Sequence, residues 1–214
     1  MNKKAVNVIN WLLAVVLCSL GVSLCTKANL GLSMIAAPPY IIHCFVRDYL
    51  PWYTQGTSEY VWEALLLIVT CLAVRRFRPK YLLSFVTAIL SGLVIDFWLW
   101  ILGGNGAYSS LALRIFAFAV GSVIISIAIA FVFRTTMPPQ VYELIVTEIS
   151  DRYNLNKSKT KLVNDIVMLA VTVVLSRVLT HAWTGVGIGT VIVTFVNAPM
   201  ISFFGKIIDK IEKK

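Results

Sequence analysis

Few side chains in this sequence could do chemistry, and most of those lie in or beside apolar runs. Glu59 and Glu63 are four residues apart, a spacing that puts both carboxylates on one face of a helix. Asp96 ends the run Ser91-Gly-Leu-Val-Ile-Asp and is followed by Phe97, Trp98 and Trp100. Lys27 and Asn29 come just before Gly31, with Ser33 and Tyr40 after it. An ionisable group inside hydrocarbon costs roughly 2.5–3.5 kcal/mol on insertion scales, so such groups usually face protein or a water-filled cavity. Carboxylates placed there would bind a cationic group or exchange protons. The ammonium of Lys27, with Asn29 and Ser33, would bind an anionic or hydroxyl group. Each residue also has a plainer reading. Glu59 could cap a helix start, where the dipole favours a carboxylate. Lys27 could anchor to headgroups, and Asp96 could pair with a basic residue for packing alone. Arg114 and Arg177 read as snorkelling to the headgroups, and Asp165 as charge at a helix start.

Other chemistries find no support. The two histidines, His43 and His181, are far apart in sequence, and the four cysteines form no CxxC pair, so no metal or cofactor site is expected. The cysteines read as small packing groups. Gly185-Val-Gly-Ile-Gly189 resembles a dinucleotide fingerprint only superficially, because no soluble strand precedes it. Glycines there suit close helix approach instead. There is no nucleophile–base motif, and the chain reads as a non-enzyme.

The elements that must position these residues follow from hydropathy. The 214 residues are 58% hydrophobic and 14% charged, with mean hydropathy +0.82. A soluble domain has too little interior for that composition. Six apolar runs, at about 8–27, 59–75, 81–102, 111–133, 162–181 and 186–205, are each long enough to cross hydrocarbon as a helix. The first reads as a retained span rather than a cleaved signal. Of the 19 Lys and Arg residues, 15 fall on one side of these runs. The other side holds Lys27, Arg47, Arg114 and Arg177. The positive-inside rule therefore puts both termini in the cytoplasm, with the chain in the cell membrane. The net charge of +9 is then a topology signal facing anionic lipid and not a nucleic-acid footprint.

Two connections break the pattern. Pro38-Pro39 opens a short apolar stretch on the outer side, and Pro138-Pro139 opens another on the inner side. Proline is tolerated in a first helical turn, so the spacing predicts short helices starting at Pro39 and Pro139, either re-entrant or interfacial. An offset of 100 residues superimposes the two Pro-Pro pairs and the hydropathy around them. The fold class expected is all-α: six transmembrane helices in two three-helix repeats, about 1–105 and 106–214. With three spans each, the repeats must be inverted, an architecture of secondary transporters whose site lies where the repeats meet.

At Lys27-Ala-Asn-Leu-Gly-Leu-Ser-Met34, Ala37-Pro38, Tyr40 and Gly56-Thr-Ser-Glu-Tyr60, the chain resembles the YczE-like, YitT-related bacterial membrane proteins. The likeness continues through Ser84-Phe-Val-Thr-Ala88, Gly92, Asp96, Val141-Tyr142-Glu143 and Gly187-Ile-Gly-Thr190. Met34-Ile-Ala36 replaces a Pro-Trp-Asp-like run, which marks a divergent branch. The resemblance implies a six-span presumed transporter, with a vitamin B6 vitamer as one substrate class. Together these readings predict a transporter or facilitator for a small polar or vitamin-like solute. The substrate-binding candidates are Lys27, Asn29, Ser33, Tyr40, Glu59, Glu63, Asp96, Tyr142 and Glu143. The expected partners are membrane lipid and that solute, with a homodimer allowed. The alternatives are a binding subunit that needs an energising partner, or an accessory membrane protein.

Overall fold

The computed structural model describes residues 3–104 and 106–212, and Lys213 and Lys214 of the inner basic set lie outside the described residues. Local chemistry sets the helix ends. The first helix, α1 (Lys3–Ala28), stops at Asn29, which takes a left-handed φ of 47° while its N–H closes onto Cys25 and Thr26 carbonyls. Asn tolerates that conformation better than most residues. The next helix, α2 (Ala37–Val46), carries both prolines of the first pair in its first turn. Thr54 caps α3 (Gln55–Val74) by accepting the Thr57 N–H at 3.0 Å, and Arg75 ends it at φ 52°. Then come α4 (Lys80–Ile101), α5 (Leu111–Val132), α6 (Val141–Tyr153), α7 (Lys157–Leu179) and α8 (Ile188–Glu212).

The order long, short, long, long thus occurs in both halves of the chain. The predicted starts at Pro39 and Pro139 are corrected in opposite directions. In the first half the helix begins two residues earlier, at Ala37. In the second it begins after the prolines, because Gln140 is extended with ψ 162° and serves as N-cap. A proline holds the residue before it out of the helical region, so two in succession delay the start unless the chain already turns.

Among the described residues, five helices are long and apolar enough to cross a membrane: Ala5–Ala28, Gln55–Val74, Lys80–Ile101, Leu111–Val132 and Lys159–Leu179. The bent pair Ile188–Asn197 and Pro199–Lys210, with an angle of 43° between its parts, meets the same length and composition only when the two are taken together. Pro199 explains the bend, since it removes one backbone donor and its ring clashes with the preceding turn. Outward faces remain apolar, with Leu72, Phe116, Ile188 and Phe195 exposed, as lipid contact requires.

The described residues form two compact units. In the first, residues 1–33, 94–137 and 185–214, α1 packs on α5 and α5 on α8. Gly21 and Gly121 let α1 and α5 touch backbone to backbone: a Cβ on Gly121 would stand 2.8 Å from the Gly21 carbonyl oxygen and 2.9 Å from Cys25 Sγ. Backbone bonds join the segment after α1 to the start of α8 and the residues before it, Leu32 N–H to the Gly185 carbonyl and Gly189 N–H to the Leu30 carbonyl. Gly187 and Gly189 press on the Leu30 carbonyl, so these glycines do permit close approach.

In the second unit, residues 34–93 and 138–184, α3 packs on α2 and α6, and α7 on α2 and α6. Its core joins Leu66, Val141, Tyr142 and Met168, with Ile35, Trp62 and Leu67 against them. Helix α4 contributes residues 80–93 to this unit and the remainder to the first.

Candidate functional site

The second unit holds the chain's most unusual buried chemistry. Glu63 is fully buried on α3 and Glu59, one turn earlier, is 5% exposed. The cap reading of Glu59 is corrected. Thr54 occupies the cap, and the first turn of α3 carries no acid. Instead, the Glu59 carboxylate lies near the Tyr142 hydroxyl of α6, which is buried without a hydrogen-bond partner among the described residues.

Three bonds hold the start of α6 in place. The Val141 N–H, an orphan donor of the first turn, donates to Glu63 Oε2 at 2.9 Å. Gln140 Nε2 donates to Ser91 Oγ at 2.8 Å, and Thr87 Oγ1 donates to the Pro138 carbonyl at 3.3 Å. Thr87 and Ser91 are one turn apart on α4, so α3 and α4 together hold the second Pro-Pro segment. The positive end of the α6 dipole meets a carboxylate from another helix. The first Pro-Pro segment is also tied to α3, with Ser58 Oγ donating to the Pro39 carbonyl at 2.6 Å.

Glu63 Oε1 and Trp62 Nε1 are buried without a hydrogen-bond partner among the described residues. Glu63 senses the charges of Glu59 and Glu143, and Glu143 in turn those of Lys161 and Asp165 on α7. Lys161 and Asp165 are themselves 3.6 Å apart. Among the described residues, no Lys or Arg forms an ion pair with Glu59 or Glu63. Like carboxyls gathered away from water cannot all stay ionised unless a proton or cation is shared among them. The arrangement is therefore chemically suited to hold one. Among the described residues, no group of three His, Cys, Asp or Glu side chains has the geometry of a metal site.

Of the nine residues predicted from sequence, Glu59, Glu63, Tyr142 and Glu143 come together here. Tyr40 lies half-buried on α2 of the same unit. Lys27, Asn29, Ser33 and Asp96 belong to the first unit. Lys27 is 5% exposed, donates to the Gly104 carbonyl at 2.9 Å and lies 5.0 Å from the Tyr108 ring centre. Asp96 is half-buried and Asn29 exposed. Arg114 is engaged by backbone at the end of α1. Its Nε donates to the Ala28 carbonyl at 2.6 Å and a second nitrogen donates to Asn29, which caps the end of α1. Arg177 stacks on Trp183 at 5.0 Å. Sequence reading missed Trp62, Thr87, Ser91 and Gln140. Thr87 and Ser91 did leave a signal, small polar residues one turn apart in an otherwise apolar run.

A separate network lies at the other end of α6. Glu148 is 2% exposed and accepts from Lys80 Nζ at 2.5 Å, Arg78 at 3.1 Å and the Tyr81 hydroxyl at 2.6 Å. Burial pushes its carboxyl up, but Lys80, Tyr81 and Arg78 outweigh that and hold it below the ordinary carboxylate range.

Residues 5–206 match the profile of DUF6198, a family of unknown function. The chain belongs to that family. A relative of this DUF6198 member is the uncharacterized protein YyaS of Bacillus subtilis, 25% identical over 201 residues that span 92% of each chain. Neither match points to the YczE-like proteins specifically, so membership stands at the level of DUF6198. No solved structure matches the chain.

Proposed function

We propose that this DUF6198 protein is a secondary transporter or facilitator of a small polar solute, with its proton- or cation-binding centre at Glu59, Glu63, Tyr142 and Glu143. The observation that carries this reading is Glu63, a fully buried acid in a span with one oxygen unpartnered and no basic residue against it among the described residues. A group that is costly in a membrane and not neutralised by the fold is of the kind that transporters use for coupling. Further support comes from the recurring order long, short, long, long and from the Pro-Pro segment of the second half being held by helices of the first. We read the two halves as inverted repeats crossing the bacterial plasma membrane six times in all, with both termini cytoplasmic. The cluster favours a solute bearing a cationic group, or a neutral solute moved with protons. A vitamin-like substrate rests on the YczE resemblance alone.

A second reading, a non-transport accessory protein, is favoured by the complete closure of Glu63 and its cap on α6. Uptake by proteoliposomes under an imposed proton gradient, across a panel of amine-bearing and neutral polar solutes, separates the two. Transport predicts saturable uptake that Glu59→Gln with Glu63→Gln abolishes while the protein stays folded. Full uptake by that double variant would overturn the proposed centre. No uptake or saturable binding of any solute in the panel by the wild type would favour the accessory reading.

A further inference from the structure

The C-terminal ends of α3 and α6 carry a second feature, independent of the transported solute. A cavity of about 160 Å³ opens there, lined by Val74, Arg76, Arg78, Glu148, Asp151 and Arg152. Its walls are fixed by backbone geometry. Arg75 is left-handed at φ 52°, and the Arg76 N–H closes back onto the Cys71 carbonyl, which sets where Arg76 leaves the helix. Asn154 ends α6 in the same way at φ 54°, and the Tyr153 hydroxyl donates to the Ala73 carbonyl at 2.7 Å, tying the two helix ends together.

The three arginines in this cavity are not equivalent. Arg78 is engaged with Glu148 through one terminal nitrogen, which leaves other donors of its five N–H groups. Arg76 and Arg152 make no side-chain hydrogen bond or ion pair among the described residues. Helix carbonyl ends attract cations, and that alone would account for basic residues here if they bonded those carbonyls. Neither Arg76 nor Arg152 does. Glu148 is already saturated by Lys80, Arg78 and Tyr81, so it does not neutralise them. Two unpaired guanidiniums and a third with spare donors line one concavity and outnumber its two carboxylates, Glu148 and Asp151, which leaves it net positive, and Arg binds phosphate oxygens through paired N–H donors.

We propose that Arg76, Arg78 and Arg152 form a phosphate-binding pocket. The phosphate comes either from an anionic phospholipid headgroup or from a free phosphate group in solution. On the topology proposed above, with the basic segments cytoplasmic, the pocket would lie at headgroup depth of the inner leaflet, where anionic lipid is concentrated.

The test uses the full-length protein in detergent, incubated with phosphatidylglycerol, with phosphatidylcholine, or with inorganic phosphate alone. Native mass spectrometry reads retained lipid, and thermal unfolding reads phosphate. Wild-type protein is expected to retain phosphatidylglycerol over phosphatidylcholine. Arg76→Gln with Arg152→Gln should weaken that retention about tenfold, since charge-assisted bonds to two guanidiniums are lost. Lys206→Gln with Lys210→Gln, an equal loss of exposed charge on α8, should leave it unchanged. Arg76→Lys with Arg152→Lys should fall between, because charge stays and the paired donors go. Stabilisation by inorganic phosphate that the arginine variant loses identifies free phosphate as a ligand, and lipid retention without it identifies the headgroup. The proposal is overturned if wild type takes up neither ligand selectively, or if the arginine-to-glutamine and lysine-to-glutamine double variants behave alike. Unchanged circular dichroism and elution of the variants exclude misfolding, since Arg76 and Arg152 are both exposed.

Discussion

The two units handle buried polarity in opposite ways. In the first, charged side chains are engaged by backbone. Arg114 caps α1, Arg134 reaches the Ala130 and Gly205 carbonyls while pairing with Asp209 at 2.8 Å, and Lys27 holds the Gly104 carbonyl. Its helices meet through glycine, and Ser126 Oγ bonds Asn197 across α5 and α8 at 2.8 Å. In the second unit, acids are buried against one another, and Glu63 Oε1 has no hydrogen-bond partner among the described residues. The first unit has the character of a frame whose polar groups serve packing. The second retains charge that packing does not require. A site is to be looked for where the fold leaves such a group in place.

That contrast can be broken or sharpened in three ways. The largest effect is expected at Glu63. Glu63→Ala removes the Val141 partner and leaves a hole in a closed position, costing about 2–4 kcal/mol of stability. Glu63→Gln keeps an oxygen for Val141 and removes the charge, so it should cost less than about 1 kcal/mol. Comparing their thermal unfolding in detergent asks whether the fold needs the shape or the charge. Equal large losses would make Glu63 a structural ion and erase the difference between the units.

Next is Gly121→Val, which sets a branched side chain against the Gly21 carbonyl and Cys25 and should cost about 1–3 kcal/mol by overpacking. Unlike the glutamine variant, it should lower stability without any change in pH dependence. The smallest effect is at Glu148. Lys80 and Arg78 are 53% and 38% exposed and thus screened, so Glu148→Gln should cost only about 1–2 kcal/mol. Here pH supplies the discriminating signature. A carboxyl held below its unfolded value, about 4.3 for Glu, gives stability that is complete above that pH. It is lost as pH falls through the folded value. Acid titration of stability should therefore be flatter in the glutamine variant than in wild type, and equal slopes would remove Glu148 from the ion network.

Much of the frame was legible in the sequence because it is written in runs. Twenty apolar residues between basic clusters define a span whatever they touch, and the i, i+4 spacing of Glu59 and Glu63 puts them on one face before any partner is known. The termini of the short helices were less legible, because two prolines can lie inside a first turn, as in α2, or ahead of one, as before α6. Least legible were contacts whose partner is a backbone atom. Nothing in the string marks the Ala28 carbonyl as the acceptor of Arg114 or the Val141 N–H as the donor to Glu63. Those pairs are separated by 86 and 78 residues, and only the folded path of the chain brings them together.

The 78 residues between Glu63 and Val141 also impose an order on biosynthesis. Helix α3 leaves the ribosome and enters the bilayer well before the N–H that its carboxylate binds has been made. Tyr81 likewise waits 67 residues for Glu148. During that interval the nascent membrane protein carries two acids in one span, each costing roughly 2.5–3.5 kcal/mol on insertion scales, and it holds them without their final neighbours. The first half alone thus lacks the N–H that Glu63 accepts. Arrest of translation between the halves would leave the acids of α3 without the helix end that completes their surroundings.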